Sequence, residues 1–159
     1  MYQHIMVPMD GSELAECVLP QVEMLAKHYN IPRITLIRVV TPLKIYSGLD
    51  YGGFEASLSG SQIQRLEDDS INLAKQYLDK QVKRLQAQGI NAEAKVVFGM
   101  VGDELAAFAE KNAVDLIIIA THGRSGISRW VWGSVADRVL KTAKVPVLMV
   151  RPDGCGVSA

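Results

Sequence analysis

The 159-residue chain has no surplus of either charge, since 17 Lys plus Arg stand against 17 Asp plus Glu. That balance excludes a general nucleic-acid binder, which carries a basic excess, and leaves room only for a local basic patch. No apolar run approaches the roughly 20 residues that cross a bilayer, so no membrane span is expected. The opening Met1-Tyr2-Gln3-His4-Ile5-Met6-Val7-Pro8 has no charged leader ahead of a long apolar segment, and no signal peptide is expected. Cysteine is scarce. Cys17 and Cys155 stand far apart and form no metal-ligand spacing; they read as reduced thiols of a cytoplasmic protein. There is no internal repeat and no low-complexity tract.

What is present is enough apolar material for one core. Hydrophobic residues make up 48% of the chain, and the length suits a single domain. Ile5-Met6-Val7 predicts a short buried strand ending at the turn Pro8-Met9-Asp10-Gly11-Ser12. Ser12 is placed to cap a helix that carries Leu14, Val18, Val22, Leu25 and Ala26 on one face, with Pro20 bending it or shifting its start. Ile34 to Val40 is β-branched and apolar, a second strand. Thr41 to Gly60 mixes Pro42 and four glycines with Tyr46, Tyr51 and Phe54, a loop of roughly twenty residues, long for a compact domain. Ser61 to Gln88 predicts a long helix with Leu66, Leu73, Ala74, Tyr77 and Leu85 on its apolar stripe and Gly89 as its stop.

Ala92 to Phe98 predicts a third strand near the sheet edge. A turn over residues 99–103 leads to a helix from Glu104 to Asn112. Asp115 to Ala120 is the most apolar strand and is expected at the centre. Val135, Ala136, Val139, Leu140 and Ala143 outline a last helix, and Val145 to Val150 a last strand. Residues 1–152 form the domain and 153–159 a flexible tail. This fivefold alternation predicts an α/β fold, a parallel sheet covered on both faces. Such sheets bind ligands beyond the carboxyl ends of the strands, at the point where winding reverses. Asp10 and the loop after Ala120 reach that edge together.

That loop, Ala120-Thr121-His122-Gly123-Arg124-Ser125-Gly126-Ile127-Ser128-Arg129-Trp130-Val131-Trp132-Gly133-Ser134, concentrates glycine ahead of a helix. Glycine is costly to order, and free amides at a helix start suit a phosphate. Gly133 lets an oxygen approach the main chain, and Ser134 both caps and donates. The same pattern also suits a plain tight connection. It is not a Walker loop, since no lysine follows the last glycine, and Gly123-Arg124-Ser125-Gly126 lacks the spacing of a nucleophile elbow.

The chain resembles the universal stress protein family over nearly its full length. The resemblance lies in Val7-Pro8-Met9-Asp10-Gly11-Ser12, in Val114 to Ile119, in Val145 to Val150, and most specifically in the loop. ATP-binding members carry G-x-x-G, nine residues, then G-[ST]. Here Gly123 is the second glycine, Arg124 to Trp132 are the nine residues, and Gly133-Ser134 closes the motif. Ala120 replaces the first glycine and sets a methyl group where the backbone should approach the ligand.

The resemblance implies an open five-stranded parallel sheet in the order 3-2-1-4-5. It implies binding of ATP or another adenine nucleotide such as cyclic AMP, with Mg²⁺ or Mn²⁺ held through the phosphates. It further implies a homodimer through residues 146–150. The nucleotide-binding set it marks is Pro8, Met9, Asp10, Val40, Ile119, Ala120, Gly123, Arg124, Gly133, Ser134 and Val135. Within it Asp10 meets the nucleoside, Val40 lies against the adenine, and Gly123, Gly133, Ser134 and Val135 contact phosphate.

Several residues keep two explanations. Turn formation alone accounts for Asp10. Arg124 and Arg129 screen phosphate or are ordinary surface charges. Trp130 and Trp132 pack under the long loop or form a dimer surface. Tyr46, Tyr51 and Phe54 lid the pocket or pack on one another. His122, without a second ligand beside it, suits a structural or rim role. No catalytic base with a partner is apparent. The expected function is therefore a nucleotide-binding regulator of a stress response. A scaffold with a weakened site and an adenylate-forming enzyme are the alternatives, and the signatures of the latter (H-x-G-H, S-G-G-x-D-S) do not occur.

Overall fold

The computed structural model describes residues 2–43, 59–121 and 134–151. Five strands form one parallel sheet in the order β3-β2-β1-β4-β5. They are β1 (His4–Pro8), β2 (Arg33–Val40), β3 (Ala92–Phe98), β4 (Leu116–Ala120) and β5 (Val147–Val150). The helices are α1 (Glu13–Glu16), α2 (Leu19–Tyr29), α3 (Gly60–Gln86), α4 (Val101–Lys111) and α5 (Ser134–Thr142). β1 pairs with β2 on one side, Ile5 opposite Ile34, and with β4 on the other, Ile5 opposite Leu116. The middle strand is thus β1. β4, expected there for its apolarity, lies next to it, and both are interior.

Side-chain alternation along each strand divides the core in two. Ile5 and Val7 of β1, Ile34 and Leu36 of β2, and Leu116 and Ile118 of β4 face one way, where Val18, Leu19 and Val22 and α3's Leu78, Val82 and Leu85 cover them. Met6, Ile37, Ile117 and Ile119 face the other way, under Leu105 and Phe108 of α4 and Ala136 and Val139 of α5. Each fully buried aliphatic side chain contributes about 1.5–3 kcal/mol relative to exposure. Because both faces are covered, interior strands carry apolar residues on both sides rather than at alternate positions only, with His4 on β1 and Thr35 and Arg38 on β2 among the polar exceptions.

Local chemistry sets the helix ends. Ser12 caps α1, its side chain accepting from Ala15 N. The single helix expected through Pro20 is two. A proline ring removes one donor and clashes with the carbonyl four residues back, so it is tolerated only where amides are unbonded anyway. The chain accordingly breaks at Cys17-Val18 and α2 restarts with Pro20 in its first turn. Asn30 closes α2 in the left-handed conformation, φ 49°. α3 opens one residue before its expected start, through a capping box in which Ser59 and Gln62 bond reciprocally. α4 begins at Val101, inside the expected turn, and β5 at Val147, two residues late.

Three apolar positions are turned outward, against expectation. Leu66 and Leu73 of α3 are exposed, as is Leu140 of α5. In α3 the buried stripe is Ala74, Leu78, Gln81, Val82 and Leu85, confined to the second half. A helix of 27 residues spans about 40 Å at 1.5 Å per residue, whereas the eight-residue β2 spans about 26 Å. The first turns of α3, with Leu66, have no sheet beneath them, whereas mid-helix Leu73, about 100° around the axis from the buried Ala74, points away from the sheet.

No helix among the described residues is long and apolar enough to cross a membrane.

Candidate functional site

Winding reverses between β1 and β4. From β1 the chain moves through α1 and α2 to β2 and then through α3 to β3; β4 and β5 lie on β1's other side. Connections leaving the carboxyl ends of β1 and β4 therefore diverge, and a crevice opens between them. It encloses about 150 Å³, room enough for an aromatic ring. Its floor is aliphatic: Ile37 and Val39 from β2, Ile119 from β4, and Val101 and Leu105 from α4. Its rim is Pro8, Met9, Asp10 and Ser12 on one side and Ala120 and Val135 on the other.

The Asp10 side is a built turn. Asp10 Oδ1 accepts from the Ser12 amide at 2.8 Å and from the Ser12 hydroxyl at 2.6 Å. Ser12 Oγ in turn accepts from Ala15 N at 3.1 Å. Gly11 between them has φ +90°, a conformation that costs a side-chain-bearing residue free energy. Met9 N donates to Ile37 O at 2.8 Å, which fixes the turn to β2. With Oδ1 bonded to Ser12, Oδ2 of the exposed carboxylate has no described partner and can accept a hydroxyl.

The opposite side is the start of α5. Val135, its second residue, lines the crevice. The first turn of a helix leaves its amides unbonded and carries the positive end of the dipole, so this rim favours an anion. β4 delivers the loop to the same place: Thr121 N donates to Val150 O at 3.0 Å. An apolar floor between a hydroxyl-accepting carboxylate and an anion-attracting helix start suits a ligand with a flat ring, a sugar and a phosphate.

Of the residues the sequence marked, Pro8, Met9, Asp10, Ile119, Ala120 and Val135 line the crevice together. Val40 is not among the lining residues; its neighbour Val39 is. The Val40 carbonyl accepts from Gly99 N at 3.0 Å. Ser134 opens α5. Gly123, Arg124 and Gly133 lie outside the described residues, as do His122, Arg129, Trp130, Trp132, Tyr46, Tyr51 and Phe54. The sequence did not single out Ile37, Val39, Val101 and Leu105. Aliphatic positions that floor a pocket and those that fill a core have the same pattern, so no local signal separates them. Among the described residues no group of three or more His, Cys, Asp or Glu is placed to hold a metal ion. Cys17 is buried, and Cys155 is outside the described residues.

A family model for the universal stress protein family matches residues 1–151. A universal stress protein of Methanocaldococcus jannaschii is 30% identical over 152 residues, 95% of this chain and 83% of that protein. The solved structure of MJ0577, from the same organism, has a TM-score of 0.77 at 28% identity and covers 95% of this chain and 96% of its own. Two further structures share the fold: a universal stress protein in complex with cAMP, TM-score 0.59 at 24% identity, covering 95% and 98%, and an Arabidopsis thaliana family protein with AMP bound, TM-score 0.60 at 15% identity, covering 99% and 97%. With the strand order that the resemblance implied and a family match that leaves out only the last eight residues, the chain belongs to the universal stress protein family.

Proposed function

We propose that the crevice binds an adenine nucleotide, ATP foremost, and that the protein works as a cytoplasmic, dimeric regulator of a stress response. One observation carries this reading: Asp10, the aliphatic floor and the first turn of α5 border a single cavity at the winding reversal. The base lies on Val39 and Ile119, Asp10 Oδ2 accepts from the ribose, and the phosphates run to the start of α5 and the loop ending in Gly133-Ser134. The AMP and cAMP complexes of two proteins of this fold support the adenine part. A Mg²⁺ or Mn²⁺ ion would accompany the phosphates and neutralise them. The edge strand β5, with Leu148 exposed, offers the backbone for pairing with a second copy.

Ala120 favours a second reading. Ala120 borders the crevice at the position where ATP-binding relatives are expected to have glycine, and a narrowed site suits a scaffold acting through its dimer surface. Calorimetric titration of Mg-ATP, AMP and cAMP into the purified protein, with light scattering for oligomeric state, tests both. Saturable submillimolar binding that Asp10→Ala weakens supports the nucleotide reading. A folded dimer giving no heat with any of the three overturns it in favour of the scaffold, and a monomer removes the dimer from either.

A further inference from the structure

The floor of the crevice lies on the α4 and α5 side of the sheet. On the other side, beneath the Asp10 turn, the structure places a set of polar groups that the crevice does not use. Arg38 follows Ile34 and Leu36 at the strand period, so it shares their face rather than that of Ile37 and Val39. Its guanidinium carbon stands 5.6 Å from the centre of the Tyr77 ring on α3, within range of cation–π attraction. The same guanidinium presses against the turn: a Cβ added to Gly11 would lie 2.8 Å from Nη1. Only glycine lets it come so near, and at φ +90° only glycine takes that backbone without strain.

Glu16, the last residue of α1, accepts at Oε1 from Gln81 Nε2 at 3.0 Å. Gln81 is buried on α3 one turn beyond Tyr77. Burial, then the Glu16 and Asp10 carboxylates, push the Tyr77 phenol above its ordinary range, while Arg38 pulls it partly back. Asp10, Glu16 and Arg38 thus all act electrostatically on the Tyr77 phenol. Among the described residues Arg38 has no carboxylate within ion-pair distance; ring and turn are its neighbours.

We propose that Arg38 and Tyr77 are positioning residues for the nucleotide site, bracing the turn of residues 10–12 from the face opposite the crevice and so holding the Asp10 carboxylate toward the ligand. The brace rests on the nucleotide reading only for its consequence. That it holds the turn is a property of the unliganded protein. Neither residue lines the crevice, so each acts through Asp10. α3 is the anchor, holding Arg38 through Tyr77 and α1 through Gln81.

The test compares Arg38→Met, Tyr77→Leu and Tyr77→Phe with the parent protein, first without ligand. Hydrogen exchange at the Ser12 amide, which Asp10 Oδ1 accepts, should quicken about tenfold in Arg38→Met and Tyr77→Leu. Amides of β1 should keep their protection, and Tyr77→Phe, which retains the ring face, should match the parent. Mg-ATP titration should then show about fivefold to tenfold weaker binding in the first two variants. Arg38→Met should add nothing in an Asp10→Ala background, as expected when one residue works through another. Unchanged exchange at Ser12 overturns the brace whether or not nucleotide binds. Full additivity with Asp10→Ala overturns its action through Asp10. A parent protein that binds no nucleotide defeats the functional reading, and the exchange result alone then decides the brace. Should Tyr77→Leu fail to fold, Arg38→Met carries the same comparison.

Discussion

The two ends of the sheet treat polar groups in opposite ways. At the amino end they are used up on one another. His4 is buried in β1; its Nδ1 faces the Asn112 carbonyl at 2.9 Å and its Nε2 faces Thr35 Oγ1 at 2.8 Å. Thr35, also buried, donates to Glu93 Oε1 at 2.7 Å, and Arg33 binds the same oxygen at 2.7 Å. Asp115 accepts from the backbone amides of Gln3 and His4. Five side chains from β1, β2, β3 and the start of β4 thus form one connected network. At the carboxyl end the side chains over β1 and β4 are aliphatic, the carboxylate of Asp10 keeps an oxygen free of described partners, and the first turn of α5 borders a cavity through Val135. A satisfied network fixes strand register and leaves nothing for a ligand. An unsatisfied rim can gain by binding one.

If that contrast is right, the two ends answer to different assays. The largest effect is expected at the amino end. His4→Ala removes both ring contacts and leaves Thr35 and the Asn112 carbonyl buried beside a cavity. It should cost about 3 kcal/mol, read as a fall in the denaturation midpoint, with Mg-ATP affinity per folded molecule unchanged. Asp10→Ala should do the reverse, weakening Mg-ATP about tenfold while the melting temperature stays near that of the parent. Matching losses of stability and affinity in either variant would erase the distinction between the ends.

A smaller effect concerns acid. Burial alone would push Glu93 up, but hydrogen bonds from Thr35 and Arg33, the Arg33 charge and His4 outweigh it and hold the carboxyl below its ordinary 4.5. A group whose folded value is depressed stabilises above its unfolded value and loses that contribution as pH falls through the folded one. The contribution of Glu93 should therefore be whole above about pH 4.5 and decline below it. Because the carboxylate is half exposed, solvent screening keeps the effect under about 1 kcal/mol. Denaturant midpoints from pH 6 to pH 3, set against Glu93→Gln, should converge only at the acid end. Parallel curves would mean that the carboxylate contributes nothing. The smallest effect is at Ala120: Ala120→Gly should tighten Mg-ATP binding by about twofold to threefold if the methyl group narrows the crevice, and equal affinity would show that the methyl group is accommodated.

Legibility in the sequence followed the range of the forces involved. Strand and helix alternation was plain because periodicity and breakers are local. So were the Ser12 cap and the Asp10 turn, whose partners lie within three residues. Pro20 showed that something must yield, though not that α1 and α2 would be separate. Leu66, Leu73 and Leu140 looked like core because spacing reports which face a residue is on and not whether another element covers it. The motif at residues 120–134 pointed to the right edge, since β4 and α5 flank it. The crevice floor was not legible, and neither was the amino-end network, whose members are separated by as many as 111 residues.

From its residues alone, then, the chain set its class, its element order and the edge that would carry a ligand. Helix signals, strand signals and glycine-rich turns act within a few residues and need no partner. Tertiary structure decided which leucines are buried. It also decided that Val39 and Leu105 meet under one cavity, that Arg38 reaches Gly11, and that His4 closes a network across three strands. Each of those depends on contacts between segments far apart in the chain, and a contact between distant segments exists only once the sheet has brought them together.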